Sequence, residues 1–269
     1  MPSKYFEIAG HAVNVLHPPP STLPGVAPAP ALGKRLVLLH GAGSTAAIWS
    51  RQLEHFALRH SPIAFDWPGH GRSSGTEALP SIAAYADCTL ALLDQLGVER
   101  SVVVGTSMGG LVALEIALRA AARVEALVLV STAARVVLPA EMTATWHGVM
   151  TGRAPQPFTP FGYGDDPPRE LLREGWALQV QTDPRVRYFD LMLAQQVDFR
   201  PRLGEIRLPA LVVHGAKDPI IPAADGAALA RDLAGAAHVE IPGAGHYLYR
   251  EKPEALHAAI DPFLERLPR

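Results

Sequence analysis

Two short runs limit what this chain can become. Val102-Val-Val104 and Leu127-Val-Leu-Val130 are too short for a buried helix and too uniformly apolar for a strand with one wet face. Such runs fit strands covered on both sides, as in a parallel sheet packed between helices. Eight strand-like runs are expected in all, at residues 5–9, 11–16, 35–39, 63–66, 101–104, 126–130, 210–214 and 238–241. The first two follow each other with no room for a helix, so they read as an antiparallel hairpin at one sheet edge. Segments of helical period lie between the others. In residues 81–96, apolar side chains from Ile82 to Leu96 recur on one face, with Ser81 as a cap and Gly97 just past the end. Residues 108–121 are rich in Ala and Leu, and residues 253–267 close the chain as an amphipathic helix. The alternation predicts an α/β protein with a doubly wound, mostly parallel eight-stranded sheet.

Composition agrees with a folded chain. Of 269 residues, 48% are hydrophobic and 19% charged, ordinary values for a globular protein able to bury a core without a metal or disulfide staple. The net charge of -2 supplies no positive field for nucleic acid or an anionic membrane, so neither is expected as a partner. The one cysteine, Cys88, excludes an intramolecular disulfide and a Cys-cluster zinc site, and fits a reducing compartment. The first residues lack the basic and apolar regions of a signal peptide. No uncharged stretch free of proline, residues 101–114 among them, is long enough to span a bilayer. A soluble, cytoplasmic protein is expected.

Two segments interrupt the alternation. Residues 18–30 hold six prolines without any PxxP spacing, which reads as an extended surface loop rather than a docking motif. Residues 138–207 contain helical stretches, at 169–182 and 186–197, but no strand run. Eight of the chain's eighteen Phe, Trp and Tyr residues fall there, either packing the segment itself or lining an apolar pocket. The expected organisation is a core made of residues 1–137 and 208–269, with residues 138–207 inserted after the sixth strand as a helical cap.

The chemistry is expected at Val104-Gly-Thr-Ser107-Met-Gly-Gly110, which contains Gly105-x-Ser107-x-Gly109. The serine leaves a buried strand and opens a helix, the strand–turn–helix setting in which this motif exposes a hydroxyl above the carboxyl end of a sheet. A serine alcohol needs a base, and histidine titrates near working pH. Among eleven histidines, His246 follows the last strand in a Gly-rich loop at the carboxyl end, whereas His238 starts that strand at the wrong end. His40, His70 and His214 lie at strand ends or turns, where structural hydrogen bonding explains them better. The base needs an acid to fix its tautomer. Asp218 follows the strand at 210–214, while its rival Asp225 lies near a helix start that it could cap. The order Ser107, Asp218, His246 is a nucleophile–acid–histidine order.

With these motifs in that order, the chain resembles the α/β-hydrolase superfamily along most of its length. By that resemblance, His40-Gly-Ala-Gly43 looks like the oxyanion loop. The Ala42 and Met108 N–H groups would bind the oxyanion, with Gly43 replacing Ala42 if the loop folds differently. Asp66-Trp-Pro-Gly-His-Gly-Arg-Ser73 looks like the family's structural turn after the fourth strand. A serine at the nucleophile position argues against haloalkane dehalogenases and epoxide hydrolases, which use aspartate there. The resemblance implies a serine hydrolase of the carboxylesterase and lactonase branch, acting without metal or other cofactor on a small, largely apolar ester or lactone. Hydrolases of C–C bonds in ring-cleavage products are similar too, but typically carry Asn before the nucleophile, where this chain has Thr106. Thioester hydrolysis stays open, as does a non-catalytic small-molecule receptor on the same fold.

Overall fold

The computed structural model describes residues 2–23, 26–28 and 32–268. The first half of the chain forms β1 (Ser3–Ile8), β2 (His11–Leu16), β3 (Arg35–Leu39), α1 (Ser50–Phe56), β4 (Ser61–Phe65) and α2 (Ile82–Gln95). Then follow β5 (Ser101–Thr106), α3 (Met108–Arg119) and β6 (Val124–Val130). Three helices, α4 (Ala140–Met150), α5 (Arg169–Gln179) and α6 (Pro184–Gln196), separate β6 from β7 (Ala210–Gly215). The chain ends with α7 (Ala223–Asp232), β8 (Ala237–Ile241), α8 (Leu248–Glu251) and α9 (Pro253–Arg266).

The strands form one eight-stranded sheet in the order β1-β2-β4-β3-β5-β6-β7-β8. As expected, β1 and β2 make an antiparallel edge hairpin; β2 also meets β4 antiparallel, and every later pair is parallel. The first strand ends at Ile8, one residue earlier than its apolar pattern suggests. Ala9 and Gly10 both take positive φ, as a two-residue turn of the type I′ kind demands. The hairpin then pairs Ile8 with His11 directly.

Strands β5 and β7 are buried at every residue, which is why their sequences lack polar alternation. Successive side chains serve opposite layers. Val37, Val103, Leu127 and Val212 face the layer that holds α2, α3 and α7, while Leu36, Val102, Val128 and Leu211 face the one that holds α1, α8 and α9. Ser81 caps α2 by accepting from Ala84 N–H, and Gly97 follows the helix at φ 64°. Of the proline-rich excursion, Pro24, Gly25, Ala29 and Pro30 lie outside the described residues; the described part is tied down by Lys4, whose Nζ donates to Val26 O at 2.9 Å.

The topology also selects a place for chemistry. From β3 the chain winds to β4 on one side, then crosses to β5 on the other, so β3 and β5 lie side by side and lead away in opposite directions. The crevice beyond their carboxyl ends is the switch point at which open α/β sheets bind ligands.

One residue of the sheet sets an acid limit on stability. His214, in β7, is fully buried, and neither ring nitrogen makes a hydrogen bond of ordinary geometry. This corrects the expectation that hydrogen bonding explains it: the ring is a packing element, wedged where a Cβ on Gly226 would meet Nδ1 at 2.1 Å. Burial pushes its pKa down to about 4. The unfolded chain therefore binds a proton that the folded chain refuses, and stability present above about pH 6.5 is lost as pH falls toward 4, on the order of 3 kcal/mol for this group. Urea unfolding as a function of pH should show that decline, and His214→Leu should make it shallower. An equally steep decline in the variant would contradict the assignment.

Candidate active site

Ser107 occupies the turn between β5 and α3 at φ 53°, ψ -120°, a conformation that non-glycine residues rarely adopt and that costs on the order of 1–3 kcal/mol. The surroundings over-determine it. Its N–H donates to Val130 O at 3.0 Å, and its carbonyl accepts from Gly110 N–H at 2.9 Å and Thr132 Oγ1 at 2.8 Å. Two glycines permit the close approach: a Cβ at Gly105 would lie 2.3 Å from Gly109 O, and one at Gly109 would lie 2.5 Å from His40 O. Both oxygens are backbone, so neither clash can be relieved by turning a side chain.

His246 and Asp218 meet above the same sheet edge, both buried. His246 Nδ1–H donates to Asp218 Oδ2 at 2.8 Å, while Oδ1 accepts from the N–H groups of Ile220 and Ile221 at 2.9 and 3.0 Å. The carboxylate is thus fixed by two amides, and the imidazole is left with Nε2 as its acceptor. No hydrogen bond joins Nε2 to Ser107 Oγ in this arrangement, although both residues border one cavity. Asp225 lies in the first turn of α7, where its charge suits the helix dipole.

The His246 loop is held by a residue with no signal in the sequence. Glu251 accepts from the N–H groups of Gly164, Gly245 and Tyr247 at 2.7–3.2 Å. Burial pushes its carboxyl above the ordinary value, against the pull of those amides. His246 N–H itself donates to Gly162 O at 2.7 Å.

On the β3 side, the His40–Gly43 stretch lies against the serine: a Cβ at Gly41 would touch Ser107 Cβ at 3.3 Å. The two oxyanion alternatives separate here. Gly43 N–H is taken, donating to Asp190 Oδ2 at 2.7 Å, whereas Ala42 N–H and Met108 N–H have no partner among the described residues. Asp190, on α6, is fully buried and also accepts from His70 Nε2 at 2.7 Å and from the Tyr85 hydroxyl. His70 Nδ1 faces Pro68 O at 3.0 Å, so both ring nitrogens face acceptors, an arrangement that favours the protonated ring beside Asp190. Burial lowers the His70 pKa, but the charge and hydrogen bond of Asp190 outweigh it and raise it overall. His40 donates from Nδ1 to Gly41 O at 2.9 Å. Asp66 accepts from Asn14, Ala46 and Arg72, the structural part expected of that turn. Asp190 and Arg187 stand one turn apart on α6, and only the fold reveals that both point inward.

The cavity over these groups measures about 360 Å³, within the range of small-molecule sites. Ser107, His246 and Ala42 form part of its wall, and Trp146, Leu172 and Trp176, between β6 and β7, form the facing part. Among the described residues no helix is long and apolar enough to cross a membrane.

Comparison with known proteins agrees with this architecture. The sequence profile of the Alpha/beta hydrolase family matches residues 36–259. The chain is 33% identical over 255 residues to a pimeloyl-[acyl-carrier protein] methyl ester esterase of Aromatoleum aromaticum, covering 84% of this chain and 96% of that protein. It is 28% identical over 243 residues to 3-oxoadipate enol-lactonase 2 of Acinetobacter baylyi, covering 86% and 88%. The crystal structure of an enol-lactonase from Burkholderia xenovorans superposes with a TM-score of 0.80 at 25% identity, over 97% of this chain and all of that one.

Glu251 offers a direct test of how the histidine loop is held. Glu251→Ala leaves three amides without their acceptor and should cost about 2–4 kcal/mol in urea unfolding, with Glu251→Gln losing less because it keeps one acceptor oxygen. Equal stability of Glu251→Ala and the parent would contradict the role.

Proposed function

The chain belongs to the alpha/beta hydrolase family, and from that premise we propose that it is a serine hydrolase that opens a carboxylic ester or lactone of a small, largely apolar substrate through an acyl-enzyme. The observation that carries the reading is the convergence on one cavity of a serine in a strained turn and a histidine oriented by a buried carboxylate. The esterase and lactonase activities named for the relatives support the same bond class.

Each residue then has one task. Ser107 Oγ attacks the substrate carbonyl while His246 Nε2 takes its proton; the Nδ1–H bond to Asp218 keeps Nε2 free to do so and stabilises the imidazolium that forms. Negative charge collects on the carbonyl oxygen, and the two uncommitted amides, Ala42 N–H and Met108 N–H, are its donors. The first turn of α3 adds a favourable dipole. Collapse of the tetrahedral species breaks the carbon–oxygen bond, and His246 returns the proton to the leaving alkoxide. Water, deprotonated by the same imidazole, then releases the acid and regenerates Ser107. Residues 138–207 act as a cap on a core of residues 1–137 and 208–269, and their aromatic rings shape the acyl pocket.

A panel of p-nitrophenyl esters of increasing chain length, beside a lactone and a thioester, tests the bond class. Turnover should vanish in Ser107→Ala, and kcat should fall by at least about 100-fold in Asp218→Asn, whose amide stabilises the wrong imidazole tautomer. Asp225→Asn should stay close to the parent. Ester turnover in Ser107→Ala at even about a tenth of the parent rate would end the covalent mechanism.

A further inference from the structure

One charged group bordering the cavity has no ion-pair partner among the described residues. Arg187 reaches in from α6 and is nine-tenths buried. Its Nη2 donates to Gly43 O and, at 3.2 Å, to Gln179 O. Its Nε is sealed from solvent without an acceptor, and Nη1 makes no hydrogen bond among the described residues. The Trp146 ring lies 4.6 Å from the guanidinium carbon, which softens the charge but accepts none of the free N–H groups in plane. Among the described residues no carboxylate stands within ion-pair distance. Asp190, one turn along α6, is already occupied by His70, Tyr85 and Gly43.

The other charged residues of the cavity do not supply the missing partner. Arg250 is paired with Glu174 at 3.1 Å, and Glu141 is an exposed residue in the first turn of α4. Burial pulls the Arg187 pKa down to about 10, so the group still carries its charge at neutral pH. A buried cation lacking both an ion-pair partner and part of its hydrogen bonding is destabilising, and Nη1 keeps unused donors that a carboxylate oxygen can accept.

We infer that Arg187 is the specificity-determining residue for a substrate carboxylate: the ester or lactone carries, on its acyl part, a second, anionic carboxylate group that docks on Nη1. The inference rests on the serine-hydrolase reading and narrows its substrate class. The spacing favours a short link between the two groups. Gly41 lies against Ser107 and Gly43 O accepts from the guanidinium, so the nucleophile and Arg187 flank a loop only two residues long, at most about 7 Å from Cα to Cα. Hydrolysis of such an ester joins water to the acyl carbon, frees the alcohol and leaves a dicarboxylate, whereas a lactone opens to a single hydroxy-dicarboxylate.

A purely structural Arg187 would brace Gly43 and nothing more. The two roles part when anionic and neutral substrates are compared. Monomethyl succinate, glutarate and adipate are each assayed against the methyl ester that bears an isopropyl group in place of the carboxylate. The parent protein should prefer at least one hemiester by about 30-fold or more in kcat/KM, and Arg187→Met should remove most of that preference, mainly through KM. Arg187→Lys should retain part of it, since the charge remains but the shorter, differently placed ammonium does not reproduce the Nη1 contact. No hemiester preferred by the parent overturns the inference, as does an Arg187→Met protein that slows both classes alike. The parent measurement stands even where a variant fails to fold. If the parent cleaves neither class, the hydrolase reading fails instead, and calorimetric titration of the parent with glutarate decides the anion site: binding that Arg187→Met loses upholds it, and no binding overturns it.

Discussion

Ser107 is held at a positive φ by hydrogen bonds to β6, to Thr132 and to its own helix, and two glycines allow the backbone around it to close. Neither the strand nor the helix would place a hydroxyl there alone. The strain is affordable only because β5 is buried along its whole length and cannot shift without breaking the core on both faces of the sheet. The proposed nucleophile thus sits at the end of a strand buried on both faces, and the loops that complete the candidate site are fastened to it one after another.

That fastening runs through the segment between β6 and β7. On one side, α6 grips Gly43 at both backbone groups, with Asp190 on the N–H and Arg187 on the carbonyl. On the other, Gly162 and Gly164 bond to the His246 loop and to Glu251. The wall facing the serine is therefore continuous with the supports of both loops. On the proposed mechanism, a change in that wall alters the placing of Ser107 and His246 as well as the shape of the pocket.

Much of this was legible in the chain. Burial on both faces forces long apolar runs, so the central strands and the doubly wound topology could be read directly. The order of Ser107, Asp218 and His246 follows from their places after successive strands, and Ser81 and Gly97 mark the ends of α2. Other features leave no local trace. Helix α1 has seven residues and buries only Gln52, Leu53 and Phe56, too few to establish a period. Arg187 and Asp190 read as ordinary helix surface until α6 is seen to turn them inward. Glu251 resembles any acidic residue near a helix, because its partners are backbone amides that carry no sequence. His214 sits in an apolar strand, and its lack of partners is a property of the packing.

The central claim is that Ser107 becomes covalently acylated during turnover. Rapid acid quenching of the protein during its first turnovers with a saturating ester, followed by mass spectrometry of its peptides, reads this directly. The account predicts a single acyl adduct on the peptide containing Ser107, formed in a burst and decaying as product accumulates. An acyl group on another residue, or product released in a burst with the protein unmodified throughout, would contradict it.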